Sequence, residues 1–432
     1  MNQPITSNVN SKGHYEVGGC DCVDLAQEFG TPLYILDETT VRGKCREYRT
    51  AFKDKYINCQ IIYASKALCT TALLKIIQDE GLGLDVSSGG ELYTAKRAGF
   101  NLSNIYFHGN NKTEREMEDA INWGVGQIVV DNLDELSLLD IISAKLNKKV
   151  RILFRVNPGI EAHTHEFIQT GKTDSKFGIA KENIVSAVKA AINMKNIEFV
   201  GLHSHIGSQI FDTKGFLAEI DVLTQLASDI IKETGFRIEI INIGGGLGID
   251  YSGHDDLVSI DVLASQLTDK LKNKCKEFNL GEPKLILEPG RSIVANAGVT
   301  LYSVGSVKEI PGIRTYVSVD GGMSDNPRPI LYQAKYEALV ANRANEKTTS
   351  KVTIAGRFCE SGDKLIENYE LATVKPGDII AVLATGAYNY SMASNYNRVP
   401  RPAMVLATNG IPTLIIKRET YEDLVQNDIV PS

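Results

Sequence analysis

Between Tyr63 and Glu288, roughly eight short apolar runs each end in a reactive or glycine-rich tip, and a helix-like stretch follows each one. Ile61-Ile62-Tyr63 leads to Ala64-Ser65-Lys66, Leu82-Gly83-Leu84 to Asp85, and Ile105-Tyr106-Phe107 to His108-Gly109-Asn110. Ile128-Val129-Val130 reaches Asp131-Asn132, and the run over 150–154 reaches Arg155-Val156-Asn157-Pro158-Gly159. The last three runs end at His203-Ser204-His205, Gly244-Gly245-Gly246 and Glu288-Pro289-Gly290-Arg291. That number of strand–helix units over about 225 residues predicts a TIM-type (β/α)8 barrel, whose chemistry sits at the C-terminal ends of its strands. The tips then spell out a site: an amine, carboxylates, imidazoles, a glycine turn of phosphate size and a guanidinium.

Local signals agree. Ser87-Ser88-Gly89-Gly90 introduces a helix predicted over 91–98. Thr113-Glu114-Arg115-Glu116 is a capping box for a helix ending at Trp123-Gly124, and Asp131 or Asn132 can cap one over 133–146. After Arg291 the texture changes. Residues 299–302, 315–319, 351–354, 379–383 and 413–416 read as strands separated by glycine turns, with few helices between them. The strand at 31–36 precedes the barrel and is expected to pair into this second unit. The predicted division is a barrel over 38–288 and a β-rich, sandwich- or barrel-like domain built from 1–37 and 289–432.

The 432 residues suffice for two full cores. A net charge of -7 argues against nucleic acid or an anionic membrane as partner. No run approaches the roughly 20 apolar residues of a membrane span, and the polar start Met1-Asn2-Gln3-Pro4 lacks a signal-peptide core. A cytoplasmic location is expected. The 7 scattered cysteines, an odd number, fit reduced thiols. Cys20 and Cys22 have no second pair or nearby histidine to complete a zinc site, and read as ordinary thiols near a surface loop.

Taken singly, the tip residues have ordinary explanations. Lys66 is either a salt-bridge partner, the commoner role, or an amine that desolvation makes nucleophilic toward an aldehyde. The glycines from Gly244 to Gly248 could cradle a phosphate. They do not fit the dinucleotide pattern, because Ile249 stands where the last glycine belongs. Gly171-Lys172-Thr173 resembles the end of a Walker loop, but Glu166 replaces the opening glycine and dismisses it. Strand alternation puts His203 and His205 on one side. A zinc site there would need His108, His163 or His165 as well, and no metal is expected. Glu288 calls for a cation: Arg291, Arg155 or a protonated pyridine nitrogen. Together the amine, phosphate nest, flat imidazole and ring-facing acid are the needs of pyridoxal 5'-phosphate.

Over nearly its full length the chain resembles the fold-type III pyridoxal-phosphate-dependent decarboxylases, most closely their diaminopimelate-acting branch. The resemblance starts at Gly30-Thr31-Pro32-Leu33-Tyr34 and continues through Tyr63-Ala64-Ser65-Lys66-Ala67, Asp85-Val86-Ser87-Ser88-Gly89-Gly90-Glu91 and His108-Gly109-Asn110-Asn111-Lys112. It goes on through Ser175-Lys176-Phe177-Gly178, His203-Ser204-His205-Ile206-Gly207-Ser208-Gln209, Cys359-Glu360-Ser361-Gly362-Asp363 and Gly386-Ala387-Tyr388. It implies that Lys66 attaches the cofactor covalently and that His205 stacks on the pyridine face. Ser208, the Gly245-Gly246 turn, Gly290 and Arg291 would hold the phosphate, with Asp85 and Pro289 also among the cofactor contacts. Glu288 would keep the ring nitrogen protonated. Cys359 would reach across a homodimer interface to return a proton, and Tyr388 would contact cofactor and substrate.

The same resemblance assigns the far end of the substrate. Arg328 and Tyr332, in Asp325-Asn326-Pro327-Arg328-Pro329-Ile330-Leu331-Tyr332, would join Arg291 on a distal carboxylate, and Glu360 would take the distal ammonium. Paired guanidinium–carboxylate contacts are directional and costly to leave unfilled. The implied reaction converts meso-2,6-diaminopimelate to L-lysine and CO2, the last step of lysine biosynthesis. A related decarboxylase for another charged-tail or carrier-bound amino acid, of ornithine, arginine or glutamyl type, is the first rival. A bare cationic tail has no use for Arg328. A non-enzymatic pyridoxal-phosphate-binding protein is a remote second, since Lys66, Cys359 and Tyr388 are all present.

Overall fold

The computed structural model describes residues 2–160, 175–253 and 257–431. His163, His165, Glu166 and Gly171-Lys172-Thr173, weighed above, lie outside them. The chain divides into two compact units: Lys44–Gly248 with Asp256–Gly290, and Met1–Gly43 with Ile249–Asp255 and Arg291–Ser432. The division differs from the predicted one in three places, one being that the first unit ends at Gly290, after 288. The first unit starts at Lys44, after 38, and Ile249–Asp255 leaves it for the β-rich unit. Asp250 ties that excursion into a turn, its Oδ1 accepting from Ser252 N at 3.0 Å and Gly253 N at 2.7 Å.

The first unit is a closed barrel of parallel strands: Cys59–Ala64, Gly83–Val86, Ile105–Phe107, Gln127–Val130, Val150–Asn157, Ile197–His203, Ile240–Asn242 and Lys284–Leu287. The last strand pairs back onto the first through Leu285↔Cys59, Ile286↔Gln60 and Leu287↔Ile61, which closes the eight strands into a ring. Both faces of such strands are buried, hence the continuous apolar runs in the sequence. Ile62, Tyr106, Val129, Leu153, Val200, Ile240 and Ile286 fill the interior. The barrel is therefore a packed core, and chemistry is confined to its ends.

The helices start where side chains can take their first free amides. Ser88 caps Gly89–Arg97. Thr113 and Glu116 form the expected capping box on Glu114–Trp123, which Gly124 ends in the left-handed conformation at φ 79°. Asn132, not Asp131, caps Leu133–Lys145, accepting from Glu135 N at 2.8 Å. Asp131 instead accepts from Gly178 N at 3.1 Å.

The second unit carries a nine-stranded sheet. As expected, its N-terminal strand Leu33–Asp37 lies in that sheet, antiparallel to Gly298–Ile310 and parallel to Ala403–Thr408. Lys364–Leu371 and Ala403–Thr408 are strands beyond those expected. Cys20 and Cys22 follow the turn at Gly18-Gly19, whose Gly19 is exposed, but neither side chain lies at the surface. Both are buried, packed with Tyr15, Val17, Leu25, Leu33 and Val299 in this unit's core, and burial pushes the Cys22 thiol well above its ordinary value. No helix among the described residues is long and apolar enough to cross a membrane.

Candidate active site

The strand Cys59–Ala64 ends in a 3-10 turn, Ser65–Ala67, that turns Lys66 outward. Ser65 and Ala67 are buried, and the Lys66 side chain is exposed. At the neighbouring tip, burial raises the Asp85 carboxyl above its ordinary value, opposed first by His108 and then by Lys66 and Arg155. Arg155, also buried, lies 4.2 Å over the Phe177 ring and 4.0 Å from Asp131.

Glu288 leaves the last strand into the barrel's C-terminal end. Its Oε1 accepts from Asn242 Nδ2 at 2.7 Å and lies 3.0 Å from His108 Nε2, and its Oε2 lies 3.4 Å from His203 Nε2. Burial alone would raise this carboxyl. The His108 and His203 imidazoles overcome that and hold it well below the ordinary carboxylate range. His203 itself is pushed down to about 3, chiefly by burial, and is neutral.

Two residues beyond His203, His205 meets the glycine tip. Gly245 N donates to His205 Nδ1 at 3.3 Å, which puts the ring proton on Nε2. Burial, followed by Lys66 and Arg155, holds His205 well below its usual value, so it presents a neutral, flat ring. The glycines permit close approach. A Cβ on Gly245 would stand 2.0 Å from the Glu288 carbonyl oxygen, and one on Gly246, at φ 125°, 2.3 Å from that of Gly207. Gly245, Gly246 and Ser208 are half-buried, open on one side. Pro289 accepts from Ala64 N at 3.1 Å, and Gly290 sits against Ala64. Lys66, Asp85, His205, Ser208, Gly245, Gly246, Glu288, Pro289 and Gly290 thus all lie at one end of one barrel.

The β-rich unit holds the remaining predicted residues in two places. In the first, Arg291 donates to Tyr251 Oη at 2.8 Å and lies 4.7 Å over the Tyr388 ring. Arg328 opens the short helix Arg328–Tyr332, is only 5% exposed, lies 4.9 Å over the Tyr251 ring and donates to Tyr336 Oη at 2.7 Å. Tyr332, on the same helix, is half-buried. Arg328 meets no carboxylate among the described residues. Burial would raise the Tyr251 phenol, but Arg291 and Arg328 drive it below its ordinary value. In the second place, Cys359 and Glu360 are exposed on a loop whose ends Asp363 fixes, accepting from Phe358 N at 2.9 Å and Met323 N at 2.7 Å. Of the free cysteines only Cys359 is exposed.

Residues 38–295 match the family model of the pyridoxal-dependent decarboxylases, pyridoxal binding domain. The diaminopimelate decarboxylase of Bacillus subtilis is 46% identical over 98% of this chain and 97% of its own length. The chain belongs to the diaminopimelate decarboxylase family. The Bacillus methanolicus member is 47% identical, with 96% of each chain covered. The crystal structure of the M. jannaschii diaminopimelate decarboxylase in co-complex with L-lysine has a TM-score of 0.92 and 37% identity, covering 100% of this chain and 99% of that one. The barrel-plus-β architecture expected from the sequence is that of the family.

The donors of this diaminopimelate decarboxylase family member suit pyridoxal phosphate. They offer a reachable amine, a buried acid held as its anion and a flat neutral imidazole. Both ring nitrogens of His203 and Asp85 Oδ1 are buried without a hydrogen-bond partner among the described residues. Sequence reasoning missed Asn242, Tyr251 and Tyr336. Asn242 sits inside an unremarkable strand, and only its place two residues before the glycine tip could have singled it out. Nothing local marks the two tyrosines as arginine partners.

Proposed function

We propose that this protein removes one carboxyl group of meso-2,6-diaminopimelate to give L-lysine and CO2, using pyridoxal 5'-phosphate attached to Lys66. The observation that carries the substrate assignment is Arg328, a buried guanidinium among tyrosines with no acid partner among the described residues. An unfilled buried cation is costly, and a distal carboxylate satisfies it. Full-length relatedness to diaminopimelate decarboxylases supports the same reading.

When bound, the cofactor supplies an aldehyde and an electron-poor ring that stores the electron pair released with CO2. Lys66 provides the amine that holds it. Glu288, anionic beside Asn242, His108 and His203, would keep a proton on the ring nitrogen, and neutral His205 would offer its flat face to the ring. Ser208, Gly245, Gly246, Gly290 and Arg291 take the phosphate, with Asp85, Pro289 and Tyr388 as further contacts. Arg328, Arg291 and Tyr332 take the distal carboxylate and Glu360 the distal ammonium. Losing CO2 leaves a carbon that needs one proton, which Cys359 delivers.

Exposure of Cys359 and Glu360 fits a role in the site of a second subunit of a homodimer. Cys359→Ala is expected to load cofactor normally but to lower kcat by roughly 10²-fold or more, the scale of a positioned proton donor. Unchanged turnover removes it from that role. Mixed dimers of Lys66→Ala and Cys359→Ala subunits are expected to recover part of the activity, and none will return if each site is self-contained. The central test is CO2 release from a panel of meso-diaminopimelate, lysine, ornithine and glutamate with added pyridoxal phosphate. Release from ornithine but not from diaminopimelate overturns the assignment. A cytoplasmic location accords with this chemistry.

A further inference from the structure

We propose that His108 and His203 are positioning residues that hold Glu288 as a carboxylate, so that the proton it shares with the cofactor ring stays on the ring nitrogen. This rests on the role given to Glu288 under the proposed function. The two rings meet edge to face, with centroids 4.7 Å apart and planes at 72°. Each approaches a different oxygen of Glu288, His108 Nε2 at 3.0 Å and His203 Nε2 at 3.4 Å, while Asn242 donates to the oxygen that His108 approaches. His108 is 5%, His203 1% and Glu288 5% exposed. Water therefore cannot take over what these groups provide.

Packing alone does not explain them. Neither ring nitrogen of His203, nor His108 Nε2, makes an aligned hydrogen bond among the described residues. Leaving such buried groups unbonded is costly, and an apolar side chain of similar size would avoid the cost. Their effect falls on Glu288. N–H groups facing a carboxylate stabilise its anion and make it a weaker base. In a carboxylate–pyridinium pair the proton resides on the more basic partner, so a weaker carboxylate leaves it on nitrogen. The other charged groups facing the cluster are Asp85, whose Oδ1 is 3.7 Å from His108 Nε2, and the Arg155 and Lys66 cations. Burial raises the carboxyl of Glu219, bonded to Ser204 beside His203, well above its usual range. None of these donates to Glu288. The histidines and Asn242 therefore set its basicity.

The same three groups offer ligand atoms within 4.8 Å of one another, a donor set that zinc also accepts. Zinc there would occupy Glu288 and leave the ring nitrogen without its partner, so metal content separates the two readings.

The test loads the full-length protein with pyridoxal phosphate carrying 15N in the ring, whose chemical shift reads ring protonation independently of turnover. The unmodified protein is expected to give a pyridinium-like resonance, and His108→Ala and His203→Ala resonances shifted toward neutral pyridine. His203→Asn, which keeps an N–H donor, should move part of the way back. It also carries the test if the alanine variants fail to fold. For each unit gained in carboxylate basicity kcat should fall up to about tenfold with KM nearly constant. A resonance unmoved in all variants, or stoichiometric zinc in the purified protein, overturns the clamp. A protein that takes up no cofactor overturns the proposed function, a result distinct from a loaded protein with an unmoved resonance.

Discussion

Replacing Lys66 with alanine is expected to abolish CO2 release from meso-diaminopimelate while leaving the barrel folded. The side chain is exposed at the end of its strand, so its loss removes little buried area and costs about 0.5 kcal/mol or less of stability. Lys112, a second lysine near these tips, is buried and committed, donating to Glu135 Oε1 at 2.7 Å, Val129 O at 2.8 Å and Gly109 O at 2.9 Å. A loss on the order of 10⁴-fold or more is therefore expected, the scale at which removing a nucleophile leaves only binding behind. Borohydride treatment and peptide mapping supply an independent check. The wild-type protein should carry a pyridoxyl group on the peptide containing Lys66, and the variant none. An adduct on another lysine of folded, cofactor-saturated protein would place the chemistry elsewhere.

That prediction could be written from the sequence because parallel strands buried on both faces leave continuous apolar runs, and the residue after each run lies at the barrel's working end. Lys66, Asp85, His203, Gly245 and Glu288 were all legible this way. The β-rich unit was less so, because its strands are half-buried and interrupted. Lys364–Leu371 breaks its alternation at Glu367-Asn368, where Asn368 takes a positive φ of 53°, and Ala403–Thr408 is short and follows a proline. Burial without periodicity hid the depth of Cys20 and Cys22: a two-residue strand and a helix start carry no pattern, yet both thiols reach the core. What no sequence pattern encodes is which distant side chains meet. The contact of His108 with Glu288 joins the third and last barrel strands, and that of Arg328 with Tyr251 joins a short helix to a turn far upstream.

Arg328→Ala is expected to lower kcat/KM for meso-diaminopimelate by roughly 30- to 1,000-fold, from the 2–4 kcal/mol typical of truncating a buried charge partner. The loss should fall mainly on KM, because a distal carboxylate is gripped alike before and during CO2 loss. Cofactor loading should be unchanged, and measuring it by absorbance separates a lost substrate contact from a damaged site. Removing the side chain also empties space between Tyr251 and Tyr336, so a modest fall in Tm is expected and must be corrected for. Arg328→Lys discriminates further. Lysine restores the charge but not the planar fork, nor its stacking over Tyr251, so it should recover only part of the affinity. Discrimination against substrates with a bare cationic tail should weaken in both variants, because the group that rewards a distal carboxylate is gone while the acidic Glu360 remains. A KM for diaminopimelate that is unchanged in Arg328→Ala, in protein with full cofactor, removes Arg328 from the substrate. Its buried tyrosine cage would then be an internal support of the β-rich unit, and the choice of substrate would have to be made by other residues.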